Sequence, residues 1–121
     1  MTVLLVALGA AVGAPLRYLT DRAVQARHDH GFPWGTFTVN MAGSFVLGTL
    51  TAAAGGLGAE VTALVGVGFC GALTTYSTFS YETLRLLEDR APAKAVANIA
   101  GSVLLGVAAA AAGWALGYSL T

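Results

Sequence analysis

Hydroxyl side chains are concentrated in one short stretch of this sequence. Five of the seven residues from Thr74 to Ser80 are serine or threonine, inside an uncharged run from Val61 to Tyr81. Serine and threonine can bond the backbone in place of its helical partners, and Gly71 just before them weakens a helix further. A local break would free backbone carbonyl oxygens, which suit a hard cation such as Na⁺. We therefore predict a broken helix here. The alternative is a packing face whose hydroxyls bond to the preceding turn.

Tyr76 and Phe79 lie three residues apart in this stretch, so they share one face of a helix that begins after the break. The edge of an aromatic ring has positive electrostatic potential, so two ring edges can contact an anion without supplying a full charge. Packing against lipid is the more common role of such a pair, and spacing alone favours it.

Two asparagines lie in apolar segments with a serine four residues after each: Asn40 with Ser44, and Asn98 with Ser102. A side-chain amide offers two N–H donors, which can replace part of the water shell of an anion. The alternative is a hydrogen bond between helices. We expect that second role for Asn98, because it is nearer a loop, while Asn40 suits either role.

One cation and one acid border the apolar segments. Arg17 is the cation that falls within a predicted membrane span, and an ionisable group there is a functional candidate by default. Its place near the end of the span is explained equally well by a side chain that reaches the headgroups. Glu82 ends the hydroxyl-rich stretch at a corresponding depth. The two residues either pair with each other or flank a water-filled mouth.

The composition indicates which elements hold these residues. Charged residues make up 10% of the 121-residue chain and hydrophobic residues 56%, with a formal net charge of zero. A soluble domain has roughly 25% charged residues, and nucleic-acid binders need a basic surface, so both classes are excluded. The charges separate four uncharged runs, and about 20 apolar residues span a bilayer. We predict an all-α membrane protein with a single four-helix transmembrane domain over 1–121, its helices at about 2–24, 35–54, 62–87 and 93–116.

Disulfide and side-chain metal chemistry have little support in the sequence. Cys70 is the only cysteine, so no disulfide can form within the chain. His28 and His30 flank Asp29, but no further ligand lies nearby in the sequence, and we interpret them as a solvated loop.

The basic residues predict how the chain is oriented in the membrane. All six lie near the loops between the first two and the last two helices: Arg17, Arg22, Arg27, Arg85, Arg90 and Lys94. Loops rich in lysine and arginine stay in the cytoplasm. We therefore expect both basic loops in the cytoplasm, both termini outside, and insertion in one orientation.

The sequence resembles the Fluc-type (CrcB) bacterial fluoride channels. The resemblance covers nearly the whole chain and is carried by GAPLRY from Gly13, GTFTVNMAGSF from Gly35 and GFCGALTTYSTFSYE from Gly68. It implies an antiparallel dimer of four-helix subunits that passes fluoride passively across the cell membrane and so reduces its toxicity in the cytoplasm. It also implies two pores per dimer and a structural Na⁺, not transported, between the subunits. Such a protein is a channel and not an enzyme.

The resemblance further implies roles for individual residues. Those of the fluoride pore are Asn40, Tyr76, Thr78, Phe79 and Ser102, with Arg17 and Glu82 at the pore mouth. Asn40 would donate hydrogen bonds to fluoride, and the two aromatic rings would line the pore. The backbone carbonyls of Gly71 and Thr74 would bind Na⁺. The sequence departs from the family at Tyr76, where phenylalanine is usual, so the pore lining gains a hydroxyl.

The charge distribution also bears on the partner. A chain that inserts one way needs a second, oppositely oriented Fluc-type subunit, which favours a heterodimer over a homodimer. The alternatives are a non-conducting partner subunit of such a heterodimer, a structural membrane subunit, and an antiparallel transporter like the small multidrug exporters. An exporter needs a carboxylate embedded in the membrane, whereas the first helix has no acid before Asp21. A structural subunit would leave the hydroxyl-rich stretch unexplained.

Overall fold

The described structure is built from helices. The computed structural model describes residues 1–28 and 31–120, and no strand occurs among them. Asp29 and His30, part of the predicted solvated loop, lie outside the described residues, as does Thr121. The elements are α1 (Thr2–Ala26), α2 (Trp34–Val61), a π-helix (Thr62–Cys70), α3 (Gly71–Leu73), α4 (Tyr76–Glu88) and α5 (Pro92–Leu120). The prediction of an all-helical protein is confirmed.

α2 continues beyond residue 54, where we predicted the second helix to end, and it kinks at Gly58. Gly58 has φ 84° and ψ 165°, a left-handed backbone that glycine adopts without steric cost. Gly56 stays helical, because a glycine inside a helix costs only about 1 kcal/mol against alanine. The turn into the third helical segment therefore depends on one glycine rather than on the whole glycine-rich stretch.

The predicted third helix, 62–87, is three helices in succession. The first is a nine-residue π-helix, whose hydrogen bonds span one residue more than those of an α-helix. Glycines of α1 lie directly against it: a Cβ on Gly9 would overlap the carbonyl oxygen of Leu64, and a Cβ on Gly13 that of Phe69. Small residues thus let the α1 backbone pack along the π-helix. Composition carries no signal for this wider winding, so the sequence does not predict it.

α2 and α5 form the most extensive helix pair, followed by α1 with the π-helix. Glycine again permits the close approach, because a Cβ on Gly113 would overlap the carbonyl oxygen of Phe45, and one on Gly117 that of Thr49. α5 has far less contact with α4 than it has with α2. These two tight pairs form the frame that carries the broken third segment.

Three helical stretches of the described chain are long and apolar enough to cross a membrane: Thr2–Ala26, Gly56–Glu88 and Pro92–Leu120. The part of α2 before Gly56, which includes Asn40 and Ser44, is not among them. Large apolar side chains are exposed along every long helix. Soluble monomers rarely expose large apolar patches, so this surface suits contact with lipid or with another subunit.

Candidate functional site at the helix break

The predicted break in the third helical segment is present, between α3 and α4. Thr74 (φ −82°, ψ 160°) and Thr75 (φ −151°, ψ 125°) are extended, while Gly71 (φ −62°, ψ −36°) is helical. The break is therefore confirmed, three residues after the glycine. Threonine suits this position because β-branched residues favour extended backbone and their hydroxyls can bond backbone groups.

One side chain of α2 bonds both backbone groups of Thr75. The Thr75 N–H donates to Asn40 Oδ1 at 2.8 Å, and Asn40 Nδ2 donates to the Thr75 carbonyl oxygen at 3.1 Å. Because lipid offers no hydrogen bonds, backbone groups at such a break need partners within the protein. The bond between helices that we considered for Asn40 is thus present. The amide nitrogen carries a second proton that this pairing does not use.

The hydroxyl of Thr75 caps the start of α4. The Thr78 N–H donates to Thr75 Oγ1 at 3.2 Å, which is the usual role of a threonine that precedes a helix. Thr75 Oγ1 in turn donates to Thr78 Oγ1 at 3.1 Å, and Ser77 Oγ lies 3.4 Å away. Thr78, a predicted pore residue, therefore belongs to the cap of α4 and not to the lining of the main cavity.

These bonds separate two carbonyl oxygens from their helical donors. In a continuous helix the Thr75 N–H would donate to the Gly71 carbonyl, and the Thr78 N–H to the Thr74 carbonyl. Both N–H groups donate instead to side chains, the first to Asn40 and the second to Thr75. The two carbonyl groups belong to the residues predicted to bind Na⁺. Among the described residues no group of three or more His, Cys, Asp or Glu could hold a metal ion.

The break borders a cavity of about 730 Å³. Six of the predicted site residues line it: Asn40, Gly71, Thr74, Tyr76, Phe79 and Ser102. The ring centroids of Tyr76 and Phe79 are 6.1 Å apart with 42° between their planes, and Tyr76 is 81% exposed. Because α4 begins at Tyr76, the positive end of its helix dipole lies at the same cavity.

A second cavity, of about 580 Å³, has a charged lining that includes Asp21, Glu82 and Arg85. The Glu82 carboxylate accepts a hydrogen bond from the hydroxyl of Thr36 in α2. Arg17 is half-buried on α1 and lines neither cavity. In the part of the chain that the structure describes, no ion pair joins Arg17 to Glu82. The structure thus does not bring these two predicted residues together.

A further set of hydrogen bonds links α5 to α4. Asn98 Nδ2 donates to Thr83 Oγ1 at 2.9 Å, and Asn98 Oδ1 accepts from Ser102 Oγ at 3.4 Å. The bond between helices that we expected for Asn98 is confirmed. Sequence reasoning does not find Thr83 or Thr36, because a single threonine in a mostly apolar helix does not reveal its partner.

The fold and the site together define a class of protein. Apolar helices that can cross a membrane, one of them broken where a helix N-terminus borders a cavity, are typical of proteins that move ions across membranes. A family model described as "CrcB-like protein, Camphor Resistance (CrcB)" matches residues 4–114. The chain belongs to this CrcB family, and the resemblance seen in its sequence is confirmed.

Curated relatives in this family have a functional name. The "Fluoride-specific ion channel FluC 1" of Frankia casuarinae is 64% identical, over 96% of this chain and 95% of its own. The protein of the same name in Streptomyces avermitilis is 60% identical over 93% of each chain. The "Fluoride-specific ion channel FluC 2" of Rhodococcus jostii is 50% identical over 100% of this chain and 99% of its own. The family is thus one of ion channels and not of enzymes, and this chain is a multi-pass membrane protein.

Proposed function

We propose that this chain is a subunit of a fluoride-specific channel that lets fluoride pass passively across the cell membrane and keeps its cytoplasmic concentration low. Relatives that are 64% and 50% identical have this functional name. The observation that carries the proposal is the contact of Asn40 with both backbone groups of Thr75. Because of it, a side-chain amide, the start of α4 and two aromatic rings border one cavity.

The cavity offers an anion several weak contacts in place of water. The second N–H of Asn40 and the hydroxyl of Ser102 are donors on its wall. Tyr76 and Phe79 contribute positive ring edges, and the start of α4 contributes the positive end of a helix dipole. None of these groups carries a full charge, so fluoride can bind and still leave, as conduction requires.

Three other residues complete the proposed path. Thr78 supplies a hydroxyl beside the pore, where it also contacts the hydroxyl of Thr75. Glu82 lies at the proposed aqueous mouth, in the charged cavity of about 580 Å³, and Arg17 on α1 is proposed to flank this mouth from outside the cavity lining. Charged side chains at an entrance change the local concentration of an anion before it enters.

We propose Na⁺ as a structural cofactor that is not transported. The carbonyl oxygens of Gly71 and Thr74, which lose their helical donors at the break, suit a hard cation. Hard cations take more oxygen ligands than these two carbonyls, so in this proposal a second subunit supplies others. A Cβ on Gly71 would meet nothing within 4 Å, which leaves room for that subunit.

The proposed partner is a second, oppositely oriented subunit of the same family. All six basic residues lie near the two loops that we predict on the same side of the membrane, so each copy inserts the same way. We therefore favour a heterodimer, and relatives numbered FluC 1 and FluC 2 agree with the existence of paired subunits. In this assembly α1, α2, the broken third segment and α5 all cross the membrane. The termini lie outside, the basic loops lie in the cytoplasm, and lipid covers the remaining apolar surface.

Fluoride efflux from liposomes tests this function. The purified chain is reconstituted alone and together with a FluC 2-type relative, and fluoride and chloride efflux are both measured with ion-selective electrodes. We expect fluoride efflux without chloride efflux when both subunits are present. Strong efflux from the chain alone would establish a homodimer instead. Assembled dimers that release no fluoride would contradict the proposal, and exchange of cationic drugs for protons would support an exporter.

A further inference from the structure

Three hydrogen bonds run in sequence from the larger cavity into the contact between α5 and α4. Ser102 Oγ donates to Asn98 Oδ1 at 3.4 Å, and Asn98 Nδ2 donates to Thr83 Oγ1 at 2.9 Å. Thr83 Oγ1 then donates to the carbonyl oxygen of Phe79 at 2.8 Å. We call these four residues the α5–α4 relay. Its two end residues, Ser102 and Phe79, line the cavity, and its two middle residues do not.

The middle of the relay is buried. Asn98 is 1% exposed and Thr83 is 9% exposed. A buried amide is costly unless it is hydrogen-bonded, and here both ends of the Asn98 amide are bonded. Of the three bonds, only the one from Asn98 to Thr83 crosses from α5 to α4, and α5 has far less contact with α4 than with α2.

In each of the three bonds the donor lies nearer Ser102 along the relay and the acceptor lies nearer Phe79. Ser102 uses its proton for Asn98, so its oxygen lone pairs are left for the cavity. To donate to an anion, Ser102 must turn its proton away from Asn98. Its bond at 3.4 Å is the longest and weakest of the three, so this turn costs little. Asn98 meanwhile stays fixed by its shorter bond to Thr83.

We infer that Asn98 and Thr83 are positioning residues of the pore, which hold α5 at Ser102 and α4 at Phe79 at a fixed separation. Ser102 lies on α5 and Phe79 on α4, so without the relay the polar wall and the aromatic wall could move independently. The inference rests on the proposed function, because it gives both residues a role in fluoride conduction.

Substitutions at Thr83 test the relay. Thr83→Val removes the hydroxyl but keeps the branched shape, and so breaks two of the three bonds, while Thr83→Ser keeps the hydroxyl. The matched control is Thr51→Val: Thr51 Oγ1 donates to the carbonyl oxygen of Leu47 at 2.8 Å, the same length and spacing as the bond from Thr83 to Phe79. The readouts are fluoride efflux from liposomes that contain both subunits, the fluoride-to-chloride ratio, and the yield of assembled protein.

We expect Thr83→Val to lower fluoride efflux by about tenfold and to lower the fluoride-to-chloride ratio. Thr83→Ser should stay within about twofold of the wild type, and Thr51→Val should leave both readouts unchanged. An assembled Thr83→Val protein with wild-type efflux and ratio overturns the inference, and so does an equal loss in Thr51→Val. If Thr83→Val does not assemble, Thr83→Ala is judged by the same readouts. A wild-type dimer without fluoride efflux would contradict the proposed function rather than the relay.

Discussion

Asn40 accepts a hydrogen bond from the N–H of Thr75 at 2.8 Å and donates one to its carbonyl oxygen at 3.1 Å. A side chain of α2 therefore supports the break in the third segment from outside that segment. The same contact deprives the Gly71 carbonyl of its helical donor, while the Asn40 amide keeps a second proton at the cavity. The proposed anion path and the proposed cation site thus depend on one residue.

Asn40→Asp tests that dependence. An aspartate of the same shape can still accept from the Thr75 N–H, but it cannot donate to the Thr75 carbonyl, and its charge repels fluoride. We expect the free energy of unfolding to fall by about 1–3 kcal/mol and fluoride efflux to fall at least about tenfold. Thermal unfolding in detergent and liposome efflux measure the two effects. Thr38→Val, which loses a bond to the Trp34 carbonyl on an exposed face of α2, is the control and should change neither.

Phe79→Ile separates the role of the ring from that of apolar packing. Isoleucine keeps a large apolar side chain but lacks the positive ring edge that we propose for the anion. We expect fluoride efflux to fall by about tenfold or more, with the yield of assembled protein little changed. Tyr81→Ile is the matched control, because Tyr81 is an aromatic residue of the same helix, 64% exposed and outside the cavity lining. Equal efflux in both variants would remove Phe79 from the path.

Gly43→Ala tests the packing of α2 against the break. A Cβ on Gly43 would overlap the Cγ2 methyl of Thr74, whereas a Cβ on Gly101 would meet the Phe37 ring at an ordinary 3.9 Å. Overpacking of this kind typically costs about 1–3 kcal/mol. We expect Gly43→Ala to lower the thermal unfolding temperature clearly and Gly101→Ala to leave it near the wild-type value. If the two variants unfold at the same temperature, α2 does not approach the break this closely.

Gly71→Ala tests whether the second subunit packs against Gly71. Within this chain a Cβ on Gly71 meets nothing within 4 Å, and the same is true of Gly56. Alanine in a helix is favoured over glycine by about 1 kcal/mol, so neither substitution should destabilise the isolated subunit. We expect Gly71→Ala to reduce the dimer fraction in size-exclusion chromatography, because the partner and Na⁺ lie there in our proposal. Gly56→Ala should assemble normally, and normal assembly of both variants would locate the interface elsewhere.

Removal of Na⁺ tests the proposed cofactor. Replacing Na⁺ with a large organic cation should lower the dimer fraction and fluoride efflux, and restoring Na⁺ should recover both. Thr74→Val should keep this dependence, because it removes only the hydroxyl that bonds to the Cys70 carbonyl at 2.8 Å and leaves the proposed backbone ligand in place. A dimer that conducts equally in both media would exclude a structural Na⁺.

Much of the architecture can be predicted from the sequence. An apolar run between charged segments can satisfy its backbone in lipid only as a helix, so the runs before Arg17 and after Lys94 define α1 and α5. The break is also predictable, because the hydroxyl groups from Thr74 to Ser80 offer the backbone alternative partners. Its position is not, since two threonines become extended and the nearby glycine stays helical.

The rest depends on contacts between residues that are distant in sequence. Asn40 and Thr75 are separated by 35 positions, and no local pattern indicates that one bonds the other. The π-helix likewise lies in backbone contact with Gly9 and Gly13 of α1, and its own composition does not indicate its wider winding. Sequence reasoning thus identifies the polar residues of the site but not the hydrogen bonds that fix their geometry.

The order of the two asparagine contacts along the chain has a consequence for biogenesis. Synthesis proceeds from the N-terminus, so Asn40 is made before Thr75 and precedes it toward the membrane. When the third segment follows, the two backbone groups at its break meet a partner that is already present, in a medium that supplies none. Asn98, by contrast, is made after Thr83. The partner of the break is therefore made before the break itself, whereas the α5 partner of Thr83 is made last.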